Sequence, residues 1–277
     1  LVFNALKNKK HVVTANKALI AKYGDDLSKI AEKNKVNLEF EASVCGGVPI
    51  IRSLKEGLIA NKITKIFGIF NGTSNYILSS MDKENKNFDT VLTNAKKLGY
   101  AESNPIADLN GDDVASKLKI LTSLCFNSFI NNNIYVEGIK EIEKIDIDNA
   151  RNLGYNIKLL GFSEVLNKKI YQRVHPTLIK KESYVASIDG VLNAVIIDGK
   201  PVGQSIIQGE GAGPSATTSA LVSDISSIMR GNIKFPFSVS NKERKKLKFE
   251  NIKERFFSAY FRFEVADKSG VLSNITS

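Results

Sequence analysis

Cysteine is scarce: Cys45 and Cys125 are the two in 277 residues, and neither stands in a CxxC or Cys/His spacing. A disulfide framework and a zinc site are therefore not supported. Histidine is equally sparse, and neither His11 nor His175 has a partner at catalytic spacing. His11 reads as a strand-edge residue and His175 as structural before Pro176. Long apolar runs are missing too: VPIIRSL and VLNAVIID are far shorter than the roughly 20 residues that cross a bilayer. No membrane partner is expected. The opening LVFNALKNKKHVV has no apolar stretch followed by a small-residue cleavage site, so no signal peptide is read and a cytoplasmic location is expected.

What is present is an ordinary globular composition, 43% hydrophobic and 25% charged, in a chain long enough for more than one domain. The net charge of +10 raises the question of nucleic acid. Against it, the lysines of NALKNKK and NKERKKLKFENIKER are scattered, without interleaved aromatics or a nucleic-acid signature. The charge reads as a solvated surface, and no nucleic-acid partner is expected.

KHVVTAN is a short β-branched strand, KALIAKYGDDLSKIAEKNK has apolar residues at helical spacing, and VNLEFEAS is a second strand. Strand, helix, strand at this spacing predicts a crossover unit of a parallel sheet, which binds ligands beyond the carboxyl ends of its strands. TANK and EASVCGG lie there. Next come helix PIIRSLKEGLIAN, strand KITKIFGIF, and a turn at Asn71 and Gly72 before a helix that Thr73 or Ser74 caps. FDTVLTNAKKLG is an amphipathic helix closed by Gly99. YVEGIKEI, NIKLLGFSEV, KIYQRVHPTLI and VLNAVIID read as strands of a second sheet. The glycine-rich loop IIQGEGAGPS precedes helix ATTSALVSDISSIM. The basic run 241–255 reads as a linker.

In the helix DDVASKLKILTSLC, capped by Asn110 or Asp112, the 3.6-residue period puts Val114, Leu118, Leu121 and Cys125 on a buried stripe. Asp112, Ser116, Lys119 and Ser123 fall on a wet one. Asp113 and Lys117 share a third line that continues into Ile120 and Leu124, so the pair faces an apolar border. Spacing alone leaves open a surface i,i+4 ion pair, worth about 0.3–0.5 kcal/mol.

AKKLGYAESNPIADLNGDDVASK resembles, almost position for position, the signature of homoserine dehydrogenase: A-xxx-G-aromatic-small-E, then N/D-P-xx-D-L-x-G-x-D-xxx-K. VVTANKALIA, EFEASVCGGVPII, NGTSNYIL, YVEGIKEI and IIQGEGAGPSATTSALVSDI are similar to other segments of that family, so the resemblance covers residues 1–232. It implies an α/β fold: a partial Rossmann-like nucleotide-binding domain, an α+β substrate and dimerisation domain with a mixed sheet, and the start of an ACT domain. The implied reaction is NAD(P)-dependent interconversion of L-aspartate 4-semialdehyde and L-homoserine, on the route to threonine, methionine and isoleucine.

By the same resemblance, Lys117 is the general acid/base, Glu102 and Asp113 hold homoserine through its ammonium group, and Asp108 lies nearby. A lysine base is charged at neutral pH, so burial or a neighbouring cation is expected to lower its pKa. Lys17 of TANK is the candidate cation, placed against the cofactor with Gly99 and Gly213; the alternative is an ordinary first-turn lysine. A monovalent cation resembling Na⁺ is implied at Glu41 and the carbonyls of Val44, Gly46 and Val48, although the Gly-Gly turn needs no ion to form. G-x-G-x-x-G, which cradles the pyrophosphate, is nowhere in the chain, so NAD or NADP stays open. The family carries that pattern upstream of TANK, and the reading is of a chain that starts part-way through its nucleotide-binding domain.

The expected divisions are residues 1–43 (nucleotide-binding part), 44–202 (substrate, catalytic and dimerisation domain), 203–232 (return segment), 233–254 (linker) and 255–277 (truncated ACT domain). YFRFEVADKSGVLSNIT resembles the first strand and helix start of an ACT module, which in this family implies threonine as effector. A homodimer or homotetramer is expected. The alternative is an inactive or regulatory fragment of the same fold, acting as an amino-acid sensor.

Overall fold

The structure is a computed structural model that describes residues 1–131, 134–251, 255–266 and 268–276. Helix α1 (Val2–Lys7) leads into strand β1 (Val12–Val13), helix α2 (Lys17–Asn34) and strand β2 (Leu38–Glu39). β1 and β2 pair in parallel, Val12 opposite Leu38, as the crossover spacing requires. α2 starts where the Asn16 side chain accepts from Leu19 N–H at 2.9 Å, and stops where Lys35 turns left-handed. Ile20, Leu27 and Ala31 recur on its inner face and are buried. Ile20 and Leu27 each contribute about 1.5–3 kcal/mol.

A 3₁₀ turn (Glu41–Ser43) and helix α3 (Ile50–Arg52), continued by a π turn (Ser53–Gly57), lead to the long strand β3 (Lys62–Ile69). Helices α4 (Gly72–Glu84), α5 (Phe88–Lys97), α6 (Ile106–Leu109) and α7 (Asp112–Phe126) follow, then β4 (Tyr135–Val136), α8 (Lys144–Asn152), β5 (Tyr155–Leu166) and β6 (Lys169–Lys180). β7 (Leu192–Lys200), β8 (Gly203–Glu210), α9 (Pro214–Met229), β9 (Lys248–Phe249) and α10 (Val271–Thr276) complete the order. The second sheet runs β4-β6-β5-β3-β7-β8, with β9 also on β6. It is mixed: β3, β5, β6, β7 and β8 are antiparallel neighbours, while β4 and β9 run parallel to β6. α7 packs on β3, β5 and β6. α9 returns to the first unit, against β1 and the 3₁₀ turn. Among the described residues no helix is long and apolar enough to cross a membrane.

Several local expectations are corrected. YVEGIKEI supplies only the two-residue β4, and the glycine-rich loop is shorter than read, since Gly203–Glu210 pairs with β7. Asn71 itself caps α4, accepting from Ser74 N–H at 2.8 Å. On α7, Val114, Leu118, Leu121 and Cys125 are buried and Asp112 is exposed, but Ser123 is fully buried. The residues expected as a linker cover it. Arg244 lies between the rings of Phe129 and Phe237, pairs with Asp25 at 2.6 Å and donates to Ser123 Oγ at 2.8 Å. Phe237 is buried against Phe40, their rings 5.4 Å apart. A guanidinium that stacks on rings while its nitrogens find acceptors is stable in the interior, so basic character did not keep this segment in solvent. Residues 252–254 of that run lie outside the described residues.

The tail also departs from expectation. No strand forms among the described residues 255–266, although Phe261, Phe263 and Val265 alternate as in a strand. A strand needs a hydrogen-bonding neighbour, and the outer edge of β6 is already taken by β4 and β9. The segment is held by polar contacts to α8: Arg262 pairs with Glu143 and Asp146, both at 2.9 Å, and Tyr260 donates to Asp146 at 2.9 Å. The expected helix start is α10; Asp267 of the turn before it lies outside the described residues.

Candidate functional site

α7 begins at Gly111, whose φ of +85° is left-handed, and neither Asn110 nor Asp112 caps it with a side chain. Glycine takes that conformation without a Cβ penalty. Asp113 therefore falls in the first turn, where the helix dipole favours a carboxylate, and Lys117 stands one turn later on the same line. Both are buried. Lys117 Nζ lies 2.8 Å from Asp113 Oδ2 and donates to the Phe70 carbonyl at 2.7 Å. That carbonyl comes from the end of β3, across which α7 packs.

Lys17, the first residue of α2, lies 2.7 Å from Asp113 Oδ1 and keeps 43% of its side chain exposed. Asn71, the cap of α4, donates to Asp113 Oδ2 at 2.8 Å and to Asp108 Oδ1 at 2.7 Å. Residues of three helix N-termini, Lys17, Asn71 and Asp113 itself, thus meet at one carboxylate, with the end of β3 bonded to Lys117 and the α6 turn reached through Asn71. Burial works to raise the Asp113 pKa, but Lys117, Lys17 and the Asn71 bond together hold it well below the usual carboxylate range. Burial works to lower the Lys117 pKa, yet the Asp113 charge and bond, with Asp108, leave it above the ordinary lysine value. This corrects the expected lowering: the Lys17 ammonium is spent on the far oxygen of Asp113. Asp108, half-buried, is raised, by burial first and by the Asp113 charge, against the Asn71 bond and the two lysines.

Glu102 is not brought into this cluster. It is exposed in the loop after α5 and makes no hydrogen bond or ion pair among the described residues. That loop is tied to α4 through Thr73, whose hydroxyl donates to the Tyr100 carbonyl at 2.7 Å, and through the Tyr76 and Tyr100 rings, 5.0 Å apart. Gly99, left-handed at φ +76°, lies in the same loop and is exposed. Gly213 precedes α9 with φ +109° and is exposed, leaving the helix N-terminus open to an anionic group.

The turn 44–48 adjoins these parts. Gly47 N–H donates to the Glu210 carbonyl at 2.9 Å, so the turn touches the loop before α9, and Cys45 lies within the field of Lys117 and Asp113. Glu41 is buried; its carboxylate accepts from Ile51 N–H at 2.9 Å and Arg52 N–H at 2.7 Å. Burial pushes its pKa up to about 7, against those two bonds, with Asp224 adding to the rise. Each carboxylate oxygen thus has a backbone donor, and the Val48 carbonyl accepts from Ile50 N–H at 2.7 Å; carboxylate and carbonyl oxygens are the donors that hard cations take.

Sequence reasoning missed Asn71 as a site residue and the Phe70 carbonyl altogether. The first was visible only as a turn residue, and backbone carbonyls carry no residue-type signal.

The family profile for homoserine dehydrogenase matches residues 49–226, and that for the homoserine dehydrogenase NAD-binding domain matches residues 1–41. A homoserine dehydrogenase from Neisseria gonorrhoeae is 47% identical over 230 residues, 83% of this chain and 53% of that protein. The crystal structure of a homoserine dehydrogenase from Thiobacillus denitrificans superposes with a TM-score of 0.90 at 39% identity, over 99% of this chain and 65% of that one. A hyperthermophilic archaeal homoserine dehydrogenase in complex with NADPH superposes with a TM-score of 0.74 at 29% identity, over 84% of this chain and 68% of that one. The chain spans about half to two thirds of the length of these relatives. With both profiles matched, and with the mixed sheet and the Lys117–Asp113 pair where the signature falls, the chain belongs to the homoserine dehydrogenase family.

Proposed function

We propose that this chain carries the substrate-binding and proton-transfer groups for NAD(P)-dependent interconversion of L-aspartate 4-semialdehyde and L-homoserine. The observation that carries this reading is the buried Lys117 ammonium, held 2.8 Å from Asp113 and 2.7 Å from the Phe70 carbonyl. A nicotinamide cofactor, when bound, supplies or takes the hydride at C4 of the substrate. Lys117 then donates a proton to the carbonyl oxygen in the reductive direction and takes it back from the hydroxyl in the oxidative one. The Asp113 pairing keeps Lys117 protonated, so it starts ready to donate, and its raised pKa makes proton uptake in the oxidative direction depend on substrate drawing Asp113 away. Asp113 and Asp108 receive the ammonium group of homoserine through charge-assisted hydrogen bonds, which fixes C4 before the chemistry. Glu102 joins them only if its loop closes over the substrate.

Lys17, with its half-exposed ammonium, the exposed Gly99 and the open α9 N-terminus at Gly213 are the groups of this chain for the cofactor. The NADPH of the archaeal relative supports NADP, and NAD remains the other candidate. Glu41 with the carbonyls of Val44, Gly46 and Val48 would hold a monovalent cation such as Na⁺, which steadies the turn against the loop before α9. The divisions at 43/44, 202/203, 232/233 and 254/255 stay part of the reading, with Phe237 and Arg244 of the 233–254 segment packed on α2 and α7. Residues 255–277 begin an ACT module whose complete form takes L-threonine. Assembly as a homodimer or homotetramer uses the sheet face that carries Arg173, Phe162, Phe67, Ile196 and the exposed Ile206, which stand opposite one another across five strands. We assign the enzyme to the cytoplasm, in threonine, methionine and isoleucine synthesis.

The test is homoserine-dependent reduction of NAD⁺ or NADP⁺, followed in the nicotinamide absorbance band, with the chain extended upstream through a complete cofactor-binding domain. A homoserine-dependent rate supports the reading, and none with either coenzyme contradicts it.

A further inference from the structure

Asn71 is buried, and its amide touches both carboxylates of the site. Nδ2 donates one hydrogen to Asp108 Oδ1 at 2.7 Å and the other to Asp113 Oδ2 at 2.8 Å. Oδ1 accepts from Ser74 N–H at 2.8 Å and from Ser74 Oγ at 2.9 Å. The two ends of the amide thus face opposite demands. A flip would set the NH₂ group against the Ser74 N–H and the carbonyl oxygen against two carboxylates, losing three favourable contacts at once, since the Ser74 hydroxyl alone can turn to accept.

The helix that carries Asn71 is itself anchored. One turn on, Asn75 Nδ2 reaches the carbonyls of Ile188, Gly190 and Leu192 at 3.1, 3.0 and 3.3 Å, and its Oδ1 accepts from the buried Lys158 ammonium at 3.2 Å. Lys158 also donates to the Ile188 carbonyl at 2.6 Å and pairs with Asp189 at 2.9 Å. The first turn of α4 therefore has little freedom to roll or slide.

Two carboxylates that share one substrate group repel each other and tend to share a proton. Here both lysines that face the pair, Lys17 from α2 and Lys117 from α7, are bonded to Asp113. Asp108 has the Asn71 amide instead. The remaining neighbour on this side is Cys45, whose buried thiol is pushed up by burial and stays neutral. We propose that Asn71 is a positioning residue, a neutral double donor that sets Asp108 and Asp113 at a fixed spacing with free lone pairs turned to the substrate's ammonium group. This rests on the reading of those carboxylates as the homoserine site. An amide does so without titrating, whereas a lysine there would bring a third cation to the site. Removing its donor hydrogens removes an influence that lowers the Asp108 pKa, so Asp108 would take up a proton at higher pH.

Asn71→Ser is the decisive variant, because serine keeps a good helix cap and has no amide hydrogens. In the protein with a complete cofactor domain, it is expected to hold its melting temperature within a few degrees and its coenzyme affinity unchanged. It should lose about tenfold or more in kcat/KM for homoserine, mostly through KM, as expected for a lost bond to a charged group. The acid limb of its pH profile should move up. Asn71→Asp, isosteric but adding a third carboxylate, should lose more. A serine variant with wild-type KM and pH profile overturns the proposal. A ¹³C-carboxyl NMR titration of Asp108 in the wild type and Asn71→Ser separates this from the reading it rests on, since it needs no turnover. An upward move of Asp108 in the variant supports the role of Asn71 even if homoserine is not the substrate, and an unchanged titration refutes it.

Discussion

Lys17 and Lys117 grip opposite oxygens of one carboxylate: Lys17 lies 2.7 Å from Asp113 Oδ1, and Lys117 lies 2.8 Å from Oδ2. One of these cations is half exposed and the other is buried. The difference divides their roles. Lys17 can be approached by a ligand and balances the charge, while Lys117 is sheltered, oriented by the Phe70 carbonyl and kept protonated. Asp108, tied to Asp113 through the Asn71 amide, is the second carboxylate of the cluster, so the two lysines face two acids.

Replacing Asp113 by Asn is predicted to reverse a pH dependence. In the wild type, the folded-state pKa of Lys117 is raised, so its pairing contributes stability in full below the unfolded pKa of about 10.4 and is lost as pH rises through the folded value. Without the carboxylate, burial is left, and the folded state binds that proton less tightly than the unfolded chain. The variant's stability should therefore rise with pH between its depressed folded pKa and about 10.4. Near neutral pH it should be less stable by about 3 kcal/mol, the lower end for breaking a buried pair, since the Lys17 partner is hydrated. Urea unfolding at neutral and alkaline pH reads both slopes; parallel slopes would contradict the assignment.

The α6 turn owes its place to a residue well beyond it in sequence. A Cβ on Gly138 would lie 2.1 Å from the Leu109 carbonyl oxygen, which accepts from Ile139 N–H at 2.8 Å. Gly138→Ala must push that turn, and Asp108 with it. The expected outcome is a loss of about 1–3 kcal/mol in stability and a higher homoserine KM with coenzyme affinity unchanged. Steady-state kinetics against both substrates checks the split.

Arg244→Ala should destabilise without touching catalysis. The side chain bonds Asp25, Ser123 and the Ser128 carbonyl between two aromatic rings, and none of these partners is Lys17, Asp108, Asp113 or Lys117. Because Asp25 is partly hydrated, a loss of about 2–3 kcal/mol is expected rather than the larger value for a fully buried pair. Urea midpoints measure it, and a wild-type homoserine KM should accompany the loss. If the midpoint did not move, the segment would be the loose linker that its composition suggests.

How much of this was legible in the sequence follows from what a period can carry. The 3.6-residue repeat placed Asp113 and Lys117 on one line at the border of an apolar stripe, and the structure has them bonded and buried there. The parallel pairing of β1 and β2 was equally readable from strand and helix lengths. Contacts between segments were not. Lys17 meets Asp113 from a distant part of the sequence, and Asn71 meets it because β3 ends where α7 begins, neither of which leaves a local pattern. Ser123 shows the same limit: its side of the helix was placed correctly, but what covers that side comes from residues 237–245. The tail's alternation was real, yet alternation makes a strand only beside a free edge.

The most direct measurement of the central claim is the turnover of Lys117→Ala with homoserine, in the protein with a complete cofactor domain. Loss of the group that takes the hydroxyl proton in this direction predicts a fall of about 10²-fold or more in kcat, with coenzyme binding close to wild type by fluorescence titration. Retention of more than about a tenth of wild-type kcat would show that another group moves the proton, and the reading of the buried ammonium as the catalytic residue would be wrong.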